Sequence, residues 1–209
     1  FCDGLWGQHI VREGGRGRGL HPGLNCPHLD SARAMYDSII ATRDSGDSSG
    51  GVVEVVARGV PAGIGEPVFC KLDGELGRMM SIGTVKAVEI GAGLNVKNMT
   101  GSQCNDQMSM KNGSVAFSGN NSGGITGGLT TGQDIVVRLA IKPTPTIAKP
   151  QKTIDKVSHT DAELAAVTRR DPTIVSRVWP VAEAFMAIVL LDQFIINLAT
   201  QEMRKKYDT

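Results

Sequence analysis

Glycine breaks this chain into short segments. It recurs in "EGGRGRGLHPG", "SGDSSGG", "PAGIGEP" and "NNSGGITGG", and it makes up 26 of the 209 residues. Lacking a Cβ, glycine takes up positive φ without steric cost, so this pattern points to many tight turns and close backbone approaches. Phe, Trp and Tyr together supply only 4% of the chain, which excludes a large aromatic core. The length suits one domain by default and can bury a substantial core.

Lys and Arg number 22 against 21 Asp and Glu. A formal charge of +1 makes no global field that would draw in nucleic acid or an anionic membrane, so neither is expected as a partner, and any anion site must be built locally. Cys2, Cys26, Cys70 and Cys104 lie far apart with no C-x-x-C pair. Reduced thiols in a cytoplasmic setting are expected, rather than a zinc ribbon or a disulfide framework. His9, His21, His28 and His159 form no metal or triad constellation, so no metal site is expected. The first residue is Phe and no leader pattern precedes the globular part, which raises the expectation of a fragment.

Residues 1–25 show no periodicity and read as an irregular or flexible arm, with weak RNA contact by the Gly-Arg tract the lesser reading. A helix is expected from Asp30, capped by Asp30 or Ser31, with Ala32, Met35, Ile39 and Ile40 on its apolar face. "GVVEVVARGV" and "TVKAVEIGAG" read as strands. Between them Pro67 suits the first turn of a helix carrying Phe69, Leu72, Leu76 and Met79 or Met80. Residues 95–132 are turn-rich. "DIVVRLAIK" alternates, with Ile135, Val137, Leu139 and Ile141 on one face and Asp134, Arg138 and Lys142 on the other. Thr160 and Glu163 have capping-box spacing for a short helix that ends before Asp171. Pro180 is expected to open the last long helix. The run Pro180–Ala199 is interrupted by Glu183, Asp192, Gln193 and Asn197, so a buried helix is expected there and a membrane span is not. No GxGxxG follows a strand, and an α+β sandwich fits better than a Rossmann domain.

Four polar clusters fall at element boundaries: Gly83-Thr84, "NNSGGITGG", "KPTPT" at 142–146 and "RRDP" at 169–172. Free backbone N–H groups, uncrowded glycines, a lysine and hydroxyls suit a phosphate or a planar hydrogen-bonding ring. The plainer reading is a pair of turns, a solvated strand end at Lys142 and a surface ion pair between Arg169 and Asp171.

Six segments in order, "GDSSGGVVEVVARGVPAGIGEPVF" with its following "KL", "SIGTVKAVEIGAG", "GSQCNDQ", "NNSGGITGGLTTGQDIVV", "IKPTPTI" and "RRDPTIVSRVWPVAEA", resemble chorismate synthase. The resemblance covers about residues 26–200 and makes residues 26–209 a C-terminal portion of that family's domain. It implies an incomplete β-α-β sandwich and a cytoplasmic homotetramer. The implied activity is that of a carbon–oxygen lyase in aromatic amino acid biosynthesis, converting 5-enolpyruvylshikimate 3-phosphate to chorismate by anti-1,4 elimination of phosphate. Reduced FMN is the implied cofactor, with NADPH only a source of reducing equivalents. Gly83, Thr84, Gly127, Lys142, Pro143, Thr144, Pro145, Thr146 and Arg169 match positions that contact FMN in the family, and Asp171 matches the aspartate that relays a proton through the flavin.

Arg170, Cys104 and Pro145 stand where the family usually has His, His and Ser, and Cys70 where Asp is usual. The family's N-terminal half, with its Ser-His-Gly motif and its Arg- and Ser-rich flavin segment, has no counterpart in the sequence. The chain alone is therefore expected not to turn over substrate. A non-catalytic oligomerisation or flavin-binding remnant is the competing reading.

Overall fold

The computed structural model describes residues 24, 26, 28–167 and 169–207. The arm expected over residues 1–25 lies outside the described residues except at Leu24, and so do Cys2, His9 and His21. Among the described residues the first elements are helix α1 (Leu29–Asp44), strand β1 (Gly51–Ala57) and helix α2 (Leu72–Gly77), which runs into a 3-10 turn at Arg78–Ser81. Strand β2 (Val85–Ile90), a second 3-10 turn (Gly93–Asn98) and helix α3 (Gly101–Cys104) follow. Next come β3 (Met108–Lys111), β4 (Ser114–Phe117), β5 (Ile125–Thr126), β6 (Leu129–Thr130) and β7 (Ile135–Ile141). A hairpin of β8 (Gln151–Asp155) and β9 (Thr160–Leu164) precedes helix α4 (Val175–Tyr207).

The described residues divide into two compact units. One takes the chain through Val53 together with Ala140–Val178, and the other takes Glu54–Leu139 together with the chain from Trp179. The main sheet has the order β1-β7-β2, and β3-β4, β5-β6 and β8-β9 are separate two-stranded ladders. The alternation read in β7 is realised: Ile135, Val137, Leu139 and Ile141 are all buried. Arg138, on its other face, donates from Nε to Glu54 at 2.7 Å and from Nη1 to the Gly91 carbonyl at 2.6 Å. In the second unit the core includes Leu72, Leu76, Met79, Val85 and, on α4, Ala182 and Met186. In the first it includes Cys26, Ala32, Val53, Ile141, Val175 and Val178. Cys26, Cys70 and Cys104 are free thiols.

Several expectations are corrected. Helix α1 begins at Leu29, and its cap is His28, whose ring Nδ1 accepts the Ser31 N–H at 3.3 Å, so neither Asp30 nor Ser31 caps it. Pro67 does not open α2. Ahead of that helix the Glu66 carboxylate accepts the N–H groups of Val68, Phe69 and Cys70, which folds residues 66–70 into a loop and leaves Phe69 92% exposed. The hydrogen bond from Cys70, then that from Val68, holds the Glu66 carboxyl below its ordinary range against a smaller opposing effect of burial.

Thr160 and Glu163 do not cap a helix but lie on β9, where Glu163 faces Lys152 across the hairpin. The turn is set by Asp155, whose carboxylate accepts the N–H groups of Val157 and Ser158, and by His159 at φ 54°. Helix α4 begins at Val175, where the Thr173 hydroxyl accepts the Val175 N–H at 3.3 Å. Pro180 therefore lies inside the helix, and lacking an N–H it leaves the Ser176 carbonyl without its usual donor. Nor is α4 a buried helix: of its stretch Val175–Met203, long and apolar enough by length and composition to cross a bilayer, 17% is buried.

Candidate functional site

In the first unit β7 hands the chain directly to the 142–146 run. Lys142 is exposed at the strand's end, as the alternation predicts, and has no partner among the described residues. The run rests on the "GDSSGG" loop. An added Cβ at Gly50 would overlap the Ile141 carbonyl, Ser48 Oγ donates to the Thr144 carbonyl at 2.6 Å, and Ala148 N donates to the Gly46 carbonyl at 2.9 Å. Lys149 donates to Asp47 at 2.6 Å, and this bond, then the Ser48 N–H, keeps the Asp47 carboxyl below its ordinary range despite some burial. Pro143 and Pro145 are exposed, and the Pro145 carbonyl accepts Gln151 Nε2 at 3.0 Å. Thr146 is exposed beside it.

The Thr144 hydroxyl donates to the Asp171 carbonyl at 3.0 Å, which joins this run to the "RRDP" segment. Ser49 N donates to the Pro172 carbonyl at 2.8 Å and fixes the far side of that segment. The Asp171 carboxylate is gripped by both terminal nitrogens of Arg177, at 2.9 and 3.0 Å. The surface pair expected between Arg169 and Asp171 is thus made by Arg177 instead. Arg169 is exposed and has no partner among the described residues. Arg170 donates to the Arg43 carbonyl in the last turn of α1 at 2.7 Å, and its Nε is buried without a partner.

In the second unit Gly83 and Thr84 form the corner between the first 3-10 turn and β2. Thr84 has φ 79°, which is rare for a β-branched residue, and its hydroxyl oxygen is buried with no hydrogen-bond partner. Strain and an unmet hydroxyl together are what a ligand clamp carries. An added Cβ at Gly83 would meet open space. Gly127 and Gly128 form the two-residue turn of the β5-β6 hairpin, both at positive φ, as a type I′ turn requires. Gly128 is packed against Glu66 and Lys71, whereas nothing lies within 4 Å of a Cβ added at Gly127. The residues singled out from the sequence thus fall in two groups: Lys142–Thr146, Arg169 and Asp171 in one unit, and Gly83, Thr84 and Gly127 in the other. In the first unit Lys142 and Arg169, without partners among the described residues, suit an anionic group; in the second the orphaned Thr84 hydroxyl and the open glycines suit a hydrogen-bonding ligand.

Asp106, within the "GSQCNDQ" segment and not among the residues expected at the site, organises the glycine-rich loop of the second unit. Its carboxylate accepts Asn121 N and Ser122 N at 2.8 Å and Asn121 Nδ2 at 3.1 Å. Burial would raise the Asp106 pKa, but the hydrogen bonds from Ser122 and Asn121 outweigh it and the net direction is down. Asp106→Asn would set an amide NH2 against a backbone N–H, with an expected loss of roughly 1–3 kcal/mol of stability at neutral pH. Because the folded pKa is depressed, this stabilisation is complete above the unfolded value near 3.8 and is lost as pH falls through the folded one. Thermal melts of the two proteins should differ at pH 7 and begin to draw together only as pH falls below about 4.

Chorismate synthase is the family whose model matches residues 11–195. Chorismate synthase of Methanosarcina mazei is 49% identical over 173 residues, which is 82% of this chain and 47% of that protein. Chorismate synthase of Acetivibrio thermocellus is 46% identical over 176 residues, 83% of this chain and 45% of that one. A crystal structure of chorismate synthase superposes with a TM-score of 0.68 at 33% identity, over 84% of this chain and 46% of that chain. The shared fold is α+β and incomplete here, since the chain spans about half the length of the curated relatives it matches.

Proposed function

The chain belongs to the chorismate synthase family, and from that premise we propose that it carries the flavin-contacting part of a carbon–oxygen lyase dependent on reduced FMN. The reaction is the anti-1,4 elimination of 5-enolpyruvylshikimate 3-phosphate. A C–O bond to phosphate and a ring C–H bond break, a ring double bond forms, and inorganic phosphate, a proton and chorismate are released. Reduced FMN, when bound, lends electron density that assists phosphate departure and takes it back, so the reaction is redox-neutral and NADPH serves only to supply reducing equivalents.

Lys142 and Arg169 hold the anionic end of the cofactor, the guanidinium able to make paired hydrogen bonds to a phosphate. Within the same unit Thr144 keeps the 142–146 run in register; in the other unit the Thr84 hydroxyl and the backbone at Gly83 and Gly127 offer a ligand hydrogen bonds and close approach. Asp171 takes the departing proton on a carboxylate oxygen. The observation that supports this reading is the Thr144 hydrogen bond to the Asp171 main-chain carbonyl, which ties the cation-bearing loop to the segment that carries the Asp171 carboxylate. A homotetramer in the cytoplasm belongs to the same proposal. Turnover requires the rest of the family fold, because this chain spans about half of it.

The competing reading, a flavin-binding or oligomerising remnant, is favoured by two observations. Pro145 has no N–H to offer a cofactor, and the Arg170 guanidinium donates to the main-chain carbonyl of Arg43. Flavin titration tests the reading. Lys142→Ala and Arg169→Ala are each expected to weaken FMN binding about tenfold or more, since each removes a charged hydrogen bond. Binding unchanged in both variants would remove these residues from the site.

A further inference from the structure

Asp171 is held at two places by two different elements. Its main-chain carbonyl accepts the Thr144 hydroxyl at 3.0 Å, which fixes the backbone to the 142–146 run. Its carboxylate accepts Arg177 Nη1 on Oδ2 at 2.9 Å and Arg177 Nη2 on Oδ1 at 3.0 Å. Arg177 stands in the first turn of α4, and that turn is anchored in the core of the first unit. Val175 and Val178 on either side are buried, a Cβ added at Gly51 would press on Val175 Cγ2 at 3.1 Å, and Thr173 forms a parallel bridge with Ser49. For a lone cation the place is a poor one. The N-terminal end of a helix favours carboxylates, yet the first turn of α4 has no acidic residue and carries an arginine. Asp171, on the irregular segment ahead of the helix, supplies the carboxylate.

We infer that Arg177 is the positioning residue of the proton acceptor: it fixes the plane and the open edge of the Asp171 carboxylate, and it binds neither cofactor nor substrate. The inference rests on the proposed role of Asp171 and deepens it. Asp171 lies in neither helix nor strand and its side chain is 44% exposed, so without a partner it would turn between rotamers. A guanidinium is planar and gives two parallel N–H bonds, which hold a carboxylate in its own plane, whereas an ammonium holds it only at a point. An ionised carboxylate has about four lone-pair sites, and the fork takes up two of them. The rest are open to the ring proton. That proton passes to an Asp171 oxygen, the electron pair of its C–H bond stays in the ring, and Arg177 neither gains nor loses a proton, because a guanidinium is not deprotonated in a protein. Both terminal nitrogens of Arg177 are committed to Asp171, which sets it apart from Lys142 and Arg169.

The test is a double-substitution cycle of Asp171→Asn and Arg177→Lys, with rates measured in an assembly that supplies the rest of the family fold. Arg177→Lys keeps the charge and removes the fork. Alone it is expected to lower kcat about tenfold to a hundredfold, as a misplaced reacting group does, with KM and FMN affinity within about threefold. Added to Asp171→Asn it should cost nothing more, since its effect runs through a carboxylate that is no longer there. In Arg177→Ala, free guanidinium ion should restore a saturable part of the rate and ammonium ion should not, a rescue that a merely structural arginine does not show. The isolated chain gives a readout independent of turnover: NMR signals of the Arg177 guanidinium N–H groups, slowed in their exchange with water, should disappear in Asp171→Asn. Absence of those signals from the unsubstituted chain overturns the inference. So do additive losses in the double variant, and so does an FMN affinity that falls with the rate in Arg177→Lys, which would make Arg177 a cofactor ligand. If Asp171→Asn is slow and Arg177→Lys is not, the proton-acceptor reading stands and this inference alone fails. If Asp171→Asn keeps its full rate, both fall.

Discussion

Asp171→Asn is expected to lower chorismate formation by roughly two to four orders of magnitude, the usual contribution of a positioned general acid or base. The comparison is made in an assembly that supplies the rest of the family fold. Asparagine keeps the size of the side chain and cannot accept the proton. The Thr144 hydrogen bond goes to the Asp171 carbonyl, which the substitution does not touch. The ion pair with Arg177 is lost, but its side chains are 68% and 44% exposed, so the stability cost should be under about 1 kcal/mol. Flavin affinity should stay within about threefold, for the cations at Lys142 and Arg169 remain. A loss of flavin binding that tracks the loss of rate would place Asp171 in cofactor binding rather than proton transfer.

Gly91→Ala should produce the largest loss of stability, about 3 kcal/mol or more. Gly91 ends β2 at φ 59°, a conformation that costs an L-residue about 1–2 kcal/mol. An added Cβ would also overlap the Asn121 carbonyl and the Gly123 N–H, which are backbone atoms that cannot swing aside. Around it Gly91 N donates to the Val136 carbonyl at 3.0 Å, and Ala92 N to that of Asn121 at 2.8 Å, so a shift would disturb the seat of the glycine-rich loop. At 2–4 °C per kcal/mol for a chain of this size, the melting temperature should fall by about 6–12 °C. Gly127→Ala is the control. Its φ of 63° carries the same backbone cost, but open space surrounds the new methyl, so about 1–2 kcal/mol is expected. Equal losses in the two variants would show that crowding at Gly91 is not the cause.

β7 was legible because alternate residues of one strand meet core and solvent, and the sequence records that contrast directly. The β8-β9 hairpin was not, because Thr and Glu three apart serve a helix start and a polar strand equally well, and the Asx turn at Asp155 decides between them. The start of α4 was misplaced because Pro180 resembles a first-turn proline, while the Thr173 hydroxyl and Pro172 set the boundary five residues earlier than Pro180. Polar clusters at element boundaries contain Thr84, Gly127, Lys142 and Asp171, but it was the family resemblance that singled these residues out. What holds them was hidden in long-range contacts. Ser48 reaches Thr144 across 96 residues and Asp47 reaches Lys149 across 102, and no local pattern foretells such pairs. Arg177 was hidden for another reason: the nearer Arg169 offered itself as the partner of Asp171.

The central claim is that this chain binds reduced FMN through Lys142 and Arg169, and anaerobic titration of the purified chain with reduced FMN, followed by absorbance, tests it most directly. The account predicts a saturable spectral change of about micromolar affinity, with no chorismate formed when 5-enolpyruvylshikimate 3-phosphate is added to the chain alone. A soluble, folded sample that shows no saturable change would contradict it.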